Sequence, residues 1–306
     1  MTGPQPPRGR ALLVVGDLVT DVVALHAEPL APDTDTTART AIRPGGSAAN
    51  TAAWAARAGA RVRLLARVGA DSADWHREAL VRGGVEPCLR VDPERPTAVV
   101  IDLVDGAGER TFVTDRGASG ALGPADWEAS LLDGVGRLHL SGYLLFGADG
   151  RALAAVAVAA ARARGIGVSV DPASSGFLNE FGPDRFLALL ASLGGVDLLL
   201  PNFDEARVLT VPSADPPAAA RALSAHCGCL VALKLGAAGA LLAEHGEVLG
   251  PVQAPAAVPL DSTGAGDAFA GGLLAALLDG AEPSAAAAAG CRLGAAAVVA
   301  VGGRPG

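Results

Sequence analysis

Asp261-Ser262-Thr263-Gly264-Ala265-Gly266-Asp267-Ala268-Phe269-Ala270-Gly271-Gly272 is a short polar run that ends in a Gly-Ala-Gly turn, followed by an acid and an apolar segment. The apolar residues 268–278 predict a helix. Glycines before a helix let several backbone N–H groups converge at its start. Those groups have no partner inside the helix, and the helix dipole adds partial positive charge there. Such a turn suits an anion, a phosphate in particular. Asp267 then sets a carboxylate beside bound anionic groups, where an acid has an evident task in taking a proton from an alcohol. The pattern therefore points to phosphoryl transfer onto a hydroxyl. The bland alternative is a helix start whose acid is simply favoured by the dipole.

Outward from this stretch, the chain alternates short apolar runs with helical segments. Residues 11–18 (ALLVVGDL) predict a buried strand, and Asp17 and Asp21 follow at its carboxyl end. Acids at that end of a strand in an open α/β sheet are ligand candidates, against the alternative of loop acids. Residues 22–43 read as one or two exposed strands. Pro44-Gly45-Gly46-Ser47-Ala48-Ala49-Asn50 leads into a small-residue helix over 51–58 that stops at Gly59. Paired glycines there admit a ligand close to the backbone. Asn50, one turn in, could bond a sugar hydroxyl or be a surface helical residue. A strand is predicted at 62–68, with Asp71 capping the next helix through about Arg82. Residues 97–104 and 109–115 read as a hairpin about the turn Asp105-Gly106-Ala107-Gly108. With 22–43 this hairpin makes a small sheet apart from the main pattern, suited to be a lid that excludes water.

Further on, a short helix (127–132), a strand (137–140), an Ala-rich helix (149–164), a strand (166–170), a helix (186–193) and a strand (196–200) succeed one another. This spacing predicts a parallel sheet with right-handed crossovers. Asn202 and Glu205 follow the last of these strands three residues apart. They suit magnesium or its waters, or equally a capping box. A strand over 229–235 ends in Lys234-Leu235-Gly236-Ala237-Ala238-Gly239, a cation and a Gly-rich bend that point to phosphate again. Segments 240–243 and 248–250 read as a small hairpin, and a last Ala-rich helix runs from Pro283 to about Ala300. No Gly-x-x-x-x-Gly-Lys-Ser/Thr occurs, so this is not a P-loop protein. Phe269 stands where a dinucleotide fold wants Gly or Ala.

Half of the 306 residues are hydrophobic, enough for a large core, and the net charge of -8 argues against a nucleic-acid partner. No apolar run approaches the roughly 20 residues that cross a bilayer. The Pro- and Gly-rich start, residues 1–10, has no apolar leader core, so a ragged tail and a cytoplasmic protein are expected. Cys88, Cys227, Cys229 and Cys291 have no zinc spacing and read as reduced thiols. Of the 24 basic residues, Lys234 is the one lysine.

Two motifs in this order resemble the ribokinase-like, PfkB-type carbohydrate kinase family, and the resemblance runs from about Ala11 to Pro305. The first is Gly45-Gly46-Ser47-Ala48-Ala49-Asn50 with Gly59 and Gly69; the second is Asp261-Ser262-Thr263-Gly264-Ala265-Gly266-Asp267. Asn202-x-x-Glu205 and Lys234-x-Gly236-x-x-Gly239 are similar to two further family elements. The resemblance implies one ribokinase-like α/β domain over 1–306, a three-layer sandwich with a central, mostly parallel sheet. A small β-sheet lid would be built from about 19–43 and 97–116. It implies ATP as donor, Mg2+, and phosphorylation of a primary hydroxyl on a small, ribose-like or related sugar. Asp267 would be the base, with Gly264, Ala265 and Gly266 as anion hole. Asp21, Gly45, Gly46 and Asn50 would hold the sugar. Asn202, Glu205, Lys234, Gly236 and Gly239 would serve the nucleotide, with Glu205 meeting Mg2+ through water, although many relatives place other residues at the lysine position. Several relatives bind a potassium-like ion, which puts K+ near Asp261 and Thr263. A homodimer through the lid is also implied.

The acceptor stays open. Arg116 could meet an anionic sugar acid, but a surface arginine is the plainer reading, and Asp171-Pro172-Ala173-Ser174 departs from the Asp-x-Asn-x-Arg element of many fructokinase and sugar-acid kinase relatives. A nucleoside acceptor is the alternative. The low aromatic count gives base stacking little support, though Phe112 and Phe146 could serve. A non-catalytic sugar-binding regulator on the same fold would bind without turnover, and a carboxylate facing phosphate argues against it.

Overall fold

A computed structural model of the chain describes residues 10–106, 110–211 and 214–305. The predicted tail over 1–9 and Ala107, Gly108 and Glu109 of the predicted hairpin lie outside the described residues. The strands in chain order are β1 (Ala11–Val15), β2 (Val19–His26), β3 (Ala38–Gly45), β4 (Val62–Gly69), β5 (Val85–Asp92), β6 (Ala98–Val104) and β7 (Arg110–Asp115). There follow β8 (Val135–Ser141), β9 (Gly167–Asp171), β10 (Leu198–Leu199), β11 (Leu230–Lys234), β12 (Ala240–Glu244) and β13 (Glu247–Val252).

Among the described residues nine strands form the main sheet in the order β13-β12-β11-β10-β9-β8-β1-β4-β5. All its pairings are parallel except the two that join β11, β12 and β13. Parallel central strands are covered on both faces, which is why β1 reads as an unbroken apolar run. Its residues divide between two cores: Leu13 and Val15 pack into one cluster, Leu12 and Val14 into the other. Helices Ala148–Arg162, Pro183–Ser192, Phe203–Leu209 and Pro216–Cys227 cover the first cluster. Helices Ser47–Arg57, Ala73–Arg82, Ala265–Leu278 and Pro283–Ala297 cover the second. The predicted α/β sandwich with a mostly parallel sheet is therefore what the chain forms.

Among the described residues four strands make a second sheet in the order β3-β2-β6-β7. Within it β2 and β6 run parallel, and the outer pairings are antiparallel. Among the described residues no helix is long and apolar enough to cross a membrane, and the four cysteines are free thiols.

Several local expectations differ from the structure. The edge strand β5 is absent from the sequence reading because Pro87 and alternating charge hide an edge position, where proline is tolerated. The sequence reading also lacks helices Ser175–Phe181 and Pro216–Cys227. In place of a helix over 127–132, two 3₁₀ turns form, Pro124–Asp126 and Ala129–Leu132. Asp71 does not cap its helix. Its Oδ1 accepts from the backbone N and the hydroxyl of Thr97 (2.9 and 3.0 Å), tying the residue just before β6 to the end of β4.

The chain steps outward from β1 to β4 and β5, then returns to the other flank of β1 with β8 and runs on to β11. This reversal leaves a crevice beyond the carboxyl ends of β1 and β8, the usual ligand position in such sheets. The small sheet leaves β1 at that point, and it lies over the crevice.

Candidate active site

Helix Ala265–Leu278 begins in the decisive stretch. Gly264 is its N-cap at φ 72, in the left-handed region that favours glycine. A Cβ on Gly264 would also lie 2.5 Å from the Cα of Gly303, so the turn has no room for a side chain. Gly264→Ala is expected to lose about 1–3 kcal/mol of stability from backbone conformation alone. It should also displace the turn and reduce kcat, which thermal melting and steady-state rates on the same preparation would read.

Glycine serves a second purpose further along the same helix. A Cβ on Gly271 would sit 2.7 Å from Ala55 N and 2.8 Å from Thr51 O. Helix Ala265–Leu278 can therefore lie directly on the backbone of helix Ser47–Arg57. That close crossing brings the two motifs together, although 217 positions of sequence separate Asn50 from Asp267. Asn50 Nδ2 donates to Asp267 Oδ2 at 2.9 Å, and Ser47 Oγ donates to Oδ1 at 2.8 Å. Both carboxylate oxygens are thus aimed. Burial pushes the Asp267 carboxyl up to about 7; the bonds from Asn50 and Ser47 pull it down, and the charges of Asp171 and Asp17 push it further up. Part of the residue stays open to the crevice.

Asp17 holds the first motif in place. Its carboxylate accepts from the backbone N of Ser47 (2.6 Å) and of Ala48 (3.3 Å), and from Ser141 Oγ at the end of β8 (2.7 Å). It is an external cap for the helix that carries Asn50. Asp21 lies against the Cα of Gly45, a contact that any side chain at Gly45 would block. Asn50 is buried, so it is not a surface helical residue.

Lys234, at the end of β11, bonds Asp171 Oδ2, at the end of β9, at 2.6 Å; the two side chains are 11% and 7% exposed. Burial alone would lower the ammonium, but the charges of Asp171 and Glu205 outweigh it and hold it above its ordinary value. The Nζ lies 3.4 Å from where a Cβ on Gly266 would be, at the edge of the helix start. Asn202 and Glu205 form the capping box. Asn202 Oδ1 accepts from Glu205 N (2.8 Å), Glu205 Oε2 from Asn202 N (2.8 Å), and Oε1 from Asn202 Nδ2 (2.7 Å). Glu205 is buried, which raises its carboxyl, while Lys234 pulls it down. Asp261, also buried, accepts from Thr263 N (2.7 Å) and from Gly302 N (2.8 Å).

Two cavities flank the Gly-Ala-Gly turn. One, of about 460 Å³, is bounded by Asp21, Gly46, Asn50, Gly264 and Asp267 under the small sheet. The other, of about 590 Å³, is bounded by Lys234, Gly236, Gly239, Ala265 and Gly266 and is mostly apolar. Both sizes are ordinary for small-molecule sites. The Arg116 side chain borders the first cavity half-buried and donates to Tyr143 O at 2.7 Å, so the plainer surface reading is corrected. Phe112, Tyr143 and Phe177 also line this cavity; Phe146 stacks behind Phe177 with ring centroids 5.3 Å apart.

The model of the pfkB family of carbohydrate kinases matches residues 10–305. The chain belongs to that family. It is 32% identical over 249 residues to the 2-dehydro-3-deoxygluconokinase of Thermoproteus tenax, spanning 78% of this chain and 74% of the relative. The adenosine kinase of Sinorhizobium meliloti superposes with a TM-score of 0.87 at 24% identity, covering 97% and 96% of the two chains. A candidate ribokinase II from E. coli, solved in complex with ATP and Mg2+, superposes at 0.84 with 24% identity, covering 96% and 94%. At those identities the two structures speak to the fold. This pfkB kinase is thus a phosphotransferase.

Sequence reasoning left four groups of this kinase's site without a role: Ser47, Ser141, Asp171 and Arg304. Ser47 stood inside the quoted motif, and Ser141 and Asp171 each end a strand, so each had a signal. Arg304 had none, because it lies outside both motifs and its partners are distant in sequence.

Proposed function

We propose that this kinase transfers the γ-phosphoryl group of ATP to a primary hydroxyl of a small, ribose-like sugar or related carbohydrate. One observation carries the reading: the Gly264–Gly266 turn stands between two cavities, with Asp267 on the wall of the one under the small sheet. The cavity under the small sheet takes the acceptor: Asp21, Gly46 and Asn50 line it, with Gly45 next to Gly46, as the residues to meet its hydroxyls. The apolar cavity beyond the turn takes the nucleotide, along Gly236 and Gly239. Asp267, held at both oxygens, accepts the hydroxyl proton as transfer proceeds. The first N–H groups of the helix stabilise the charge of the moving group, which is the chief need of this reaction. Lys234 adds a cation on the nucleotide side.

The donor set fits ATP and Mg2+. Magnesium takes few protein ligands and keeps its waters, and among the described residues no cluster of three ligating side chains stands ready for a direct site. Both oxygens of Glu205 accept from Asn202 and the side chain is buried, so Glu205 would act on the ion through water and by charge rather than as a direct ligand. Bound Mg2+ supplies charge neutralisation for the phosphates. A K+ ion beside the backbone of Asp261 and Thr263 would steady the same turn.

The small sheet works as a lid on the one ribokinase-like domain, since Val19, Ala98 and Phe112 border the acceptor cavity. Ile42 and Val113 leave apolar surface exposed on that sheet, which supports pairing of two lids in a homodimer. One observation favours a second acceptor class. Phe112, Tyr143 and Phe177 offer ring faces and edges that suit a nucleoside base.

ADP release from ATP and Mg2+, with and without K+, tests the proposal against ribose, fructose, a keto-deoxy sugar acid, adenosine and uridine. Turnover of a free sugar supports the first reading and turnover of a nucleoside the second. No acceptor-dependent release from protein that binds ATP would overturn both.

A further inference from the structure

The C-terminal segment 302–304 returns to both motifs at once. Gly302 N donates to Asp261 Oδ2, and Gly303 O accepts from Trp54 Nε1 at 2.9 Å. The backbone of Gly303 is the surface against which Gly264 packs. Arg304 Nη2 donates to Gly45 O at 2.9 Å, and Arg304 Nε donates to Asn50 Oδ1 at 3.3 Å. We propose that Arg304 is a positioning residue for phosphoryl transfer, which acts on Asp267 through Asn50.

A guanidinium has only donors, and an ionised carboxylate has only acceptors. Asn50 lies between Arg304 and Asp267, so only one orientation of its amide satisfies both. The carbonyl oxygen must face Arg304 and the NH2 must face Asp267. Without Arg304 only Asp267 is left to select this orientation, the carbonyl oxygen of Asn50 loses its anchor, and the donor on the Oδ2 side of the base is less firmly held. The same guanidinium holds the carbonyl of Gly45, so the substrate motif and the base are registered by one group.

Charge adds a second effect. Arg304 is shielded deeply enough that its guanidinium falls to about 10, while Asp21, Asp17 and Asp267 hold it up. The attraction is mutual, so the cation eases ionisation of Asp267. The other groups that face Asp267 are Asp171 and Asp17, which oppose its charge, Lys234, which favours it, and the Tyr143 phenol, which burial pushes up and the charges of Asp17 and Asp267 push further.

This inference rests on Asp267 as proton acceptor, and the experiment separates the two. Arg304→Met, Arg304→Gln, Arg304→Lys and Asp267→Asn are compared on the acceptor found active, by kcat/KM across the neutral pH range and by thermal melting. Arg304→Met and Arg304→Gln are expected to lose about 10–100-fold in kcat/KM, the scale of a small misplacement. The loss should fall mainly on kcat. Their acid limb should move to higher pH, because the lost cation no longer favours the carboxylate. Arg304→Lys should return the limb towards its original place and only part of the rate, since an ammonium has no planar fork.

A wild-type rate and limb in Arg304→Met, with Asp267→Asn inactive, overturns the inference alone. Full activity of Asp267→Asn overturns the reading beneath it as well. Lower melting with an unmoved limb, or failure of all three Arg304 variants to fold, makes Arg304 a structural strut and overturns the positioning role.

Discussion

Asp267→Asn is expected to lower kcat by about 10²–10⁴-fold, the usual contribution of a positioned proton acceptor. The change keeps the shape of the side chain: the new amide oxygen can accept from Asn50 and the new NH2 can donate to Ser47 Oγ. Loss of activity would therefore report the missing charge and basicity. The same variant should be the more stable protein at pH 8. In the wild type the carboxyl titrates near 7 when folded against an ordinary 3.8. Between those values the folded chain holds a proton that the unfolded chain has released. The stability owed to this group is present at the acid end of that window and is lost as pH rises through it. Asn carries no such penalty, so the melting temperature of the variant should exceed that of the wild type at pH 8. The gap should close as pH falls towards 4. A variant melting below the wild type at pH 8 would contradict the raised carboxyl. The wild-type rate should in turn fall as pH drops below about 7, where Asp267 gains its proton.

Lys234→Met is the second large effect. It removes the cation that pairs with Asp171 at 2.6 Å and that pulls down the buried Glu205. Breaking one side of a buried pair costs about 3–5 kcal/mol, because the other charge is left without compensation. Lys234→Met should melt well below the wild type and show a raised KM for ATP. Lys234→Met with Asp171→Asn removes both charges, and much of the stability should return. The rate should not return, because the cation beside Gly266 would still be missing. Recovery of both, or of neither, would show that the pair does not divide between fold and chemistry in this way. Lys234 is the one lysine in the chain, so amine-directed modification would give an independent reading. Apart from the amino terminus it has one target, and ATP should shield it.

Much of this molecule was legible in the sequence by itself. The unbroken apolar run of β1 pointed to a buried parallel strand, because a strand covered on both faces has no polar side to alternate. The Gly-Ala-Gly turn before an apolar segment marked a helix start, since only glycine sits easily at the left-handed conformation that Gly264 adopts. Spacing placed Asp267, Asn202, Glu205 and Lys234 near strand ends or helix starts, because those signals are local. Strand β5 escaped, since an edge strand with a proline looks like a loop to any local pattern.

Only the tertiary structure decided the company each residue keeps. It lays the glycine face of one helix on the backbone of another, and so joins Asn50 and Ser47 to Asp267. It turns Asp17 into an external helix cap and closes Asp171 onto Lys234. It returns Arg304 to Asn50 from the far end of the chain, and it gathers three aromatic rings at one cavity in a chain poor in them. Each of these contacts links residues far apart in sequence, and its existence depends on which backbones approach closely enough to touch. Sequence periodicity records which face of an element is buried. The neighbour it is buried against is set by the whole fold.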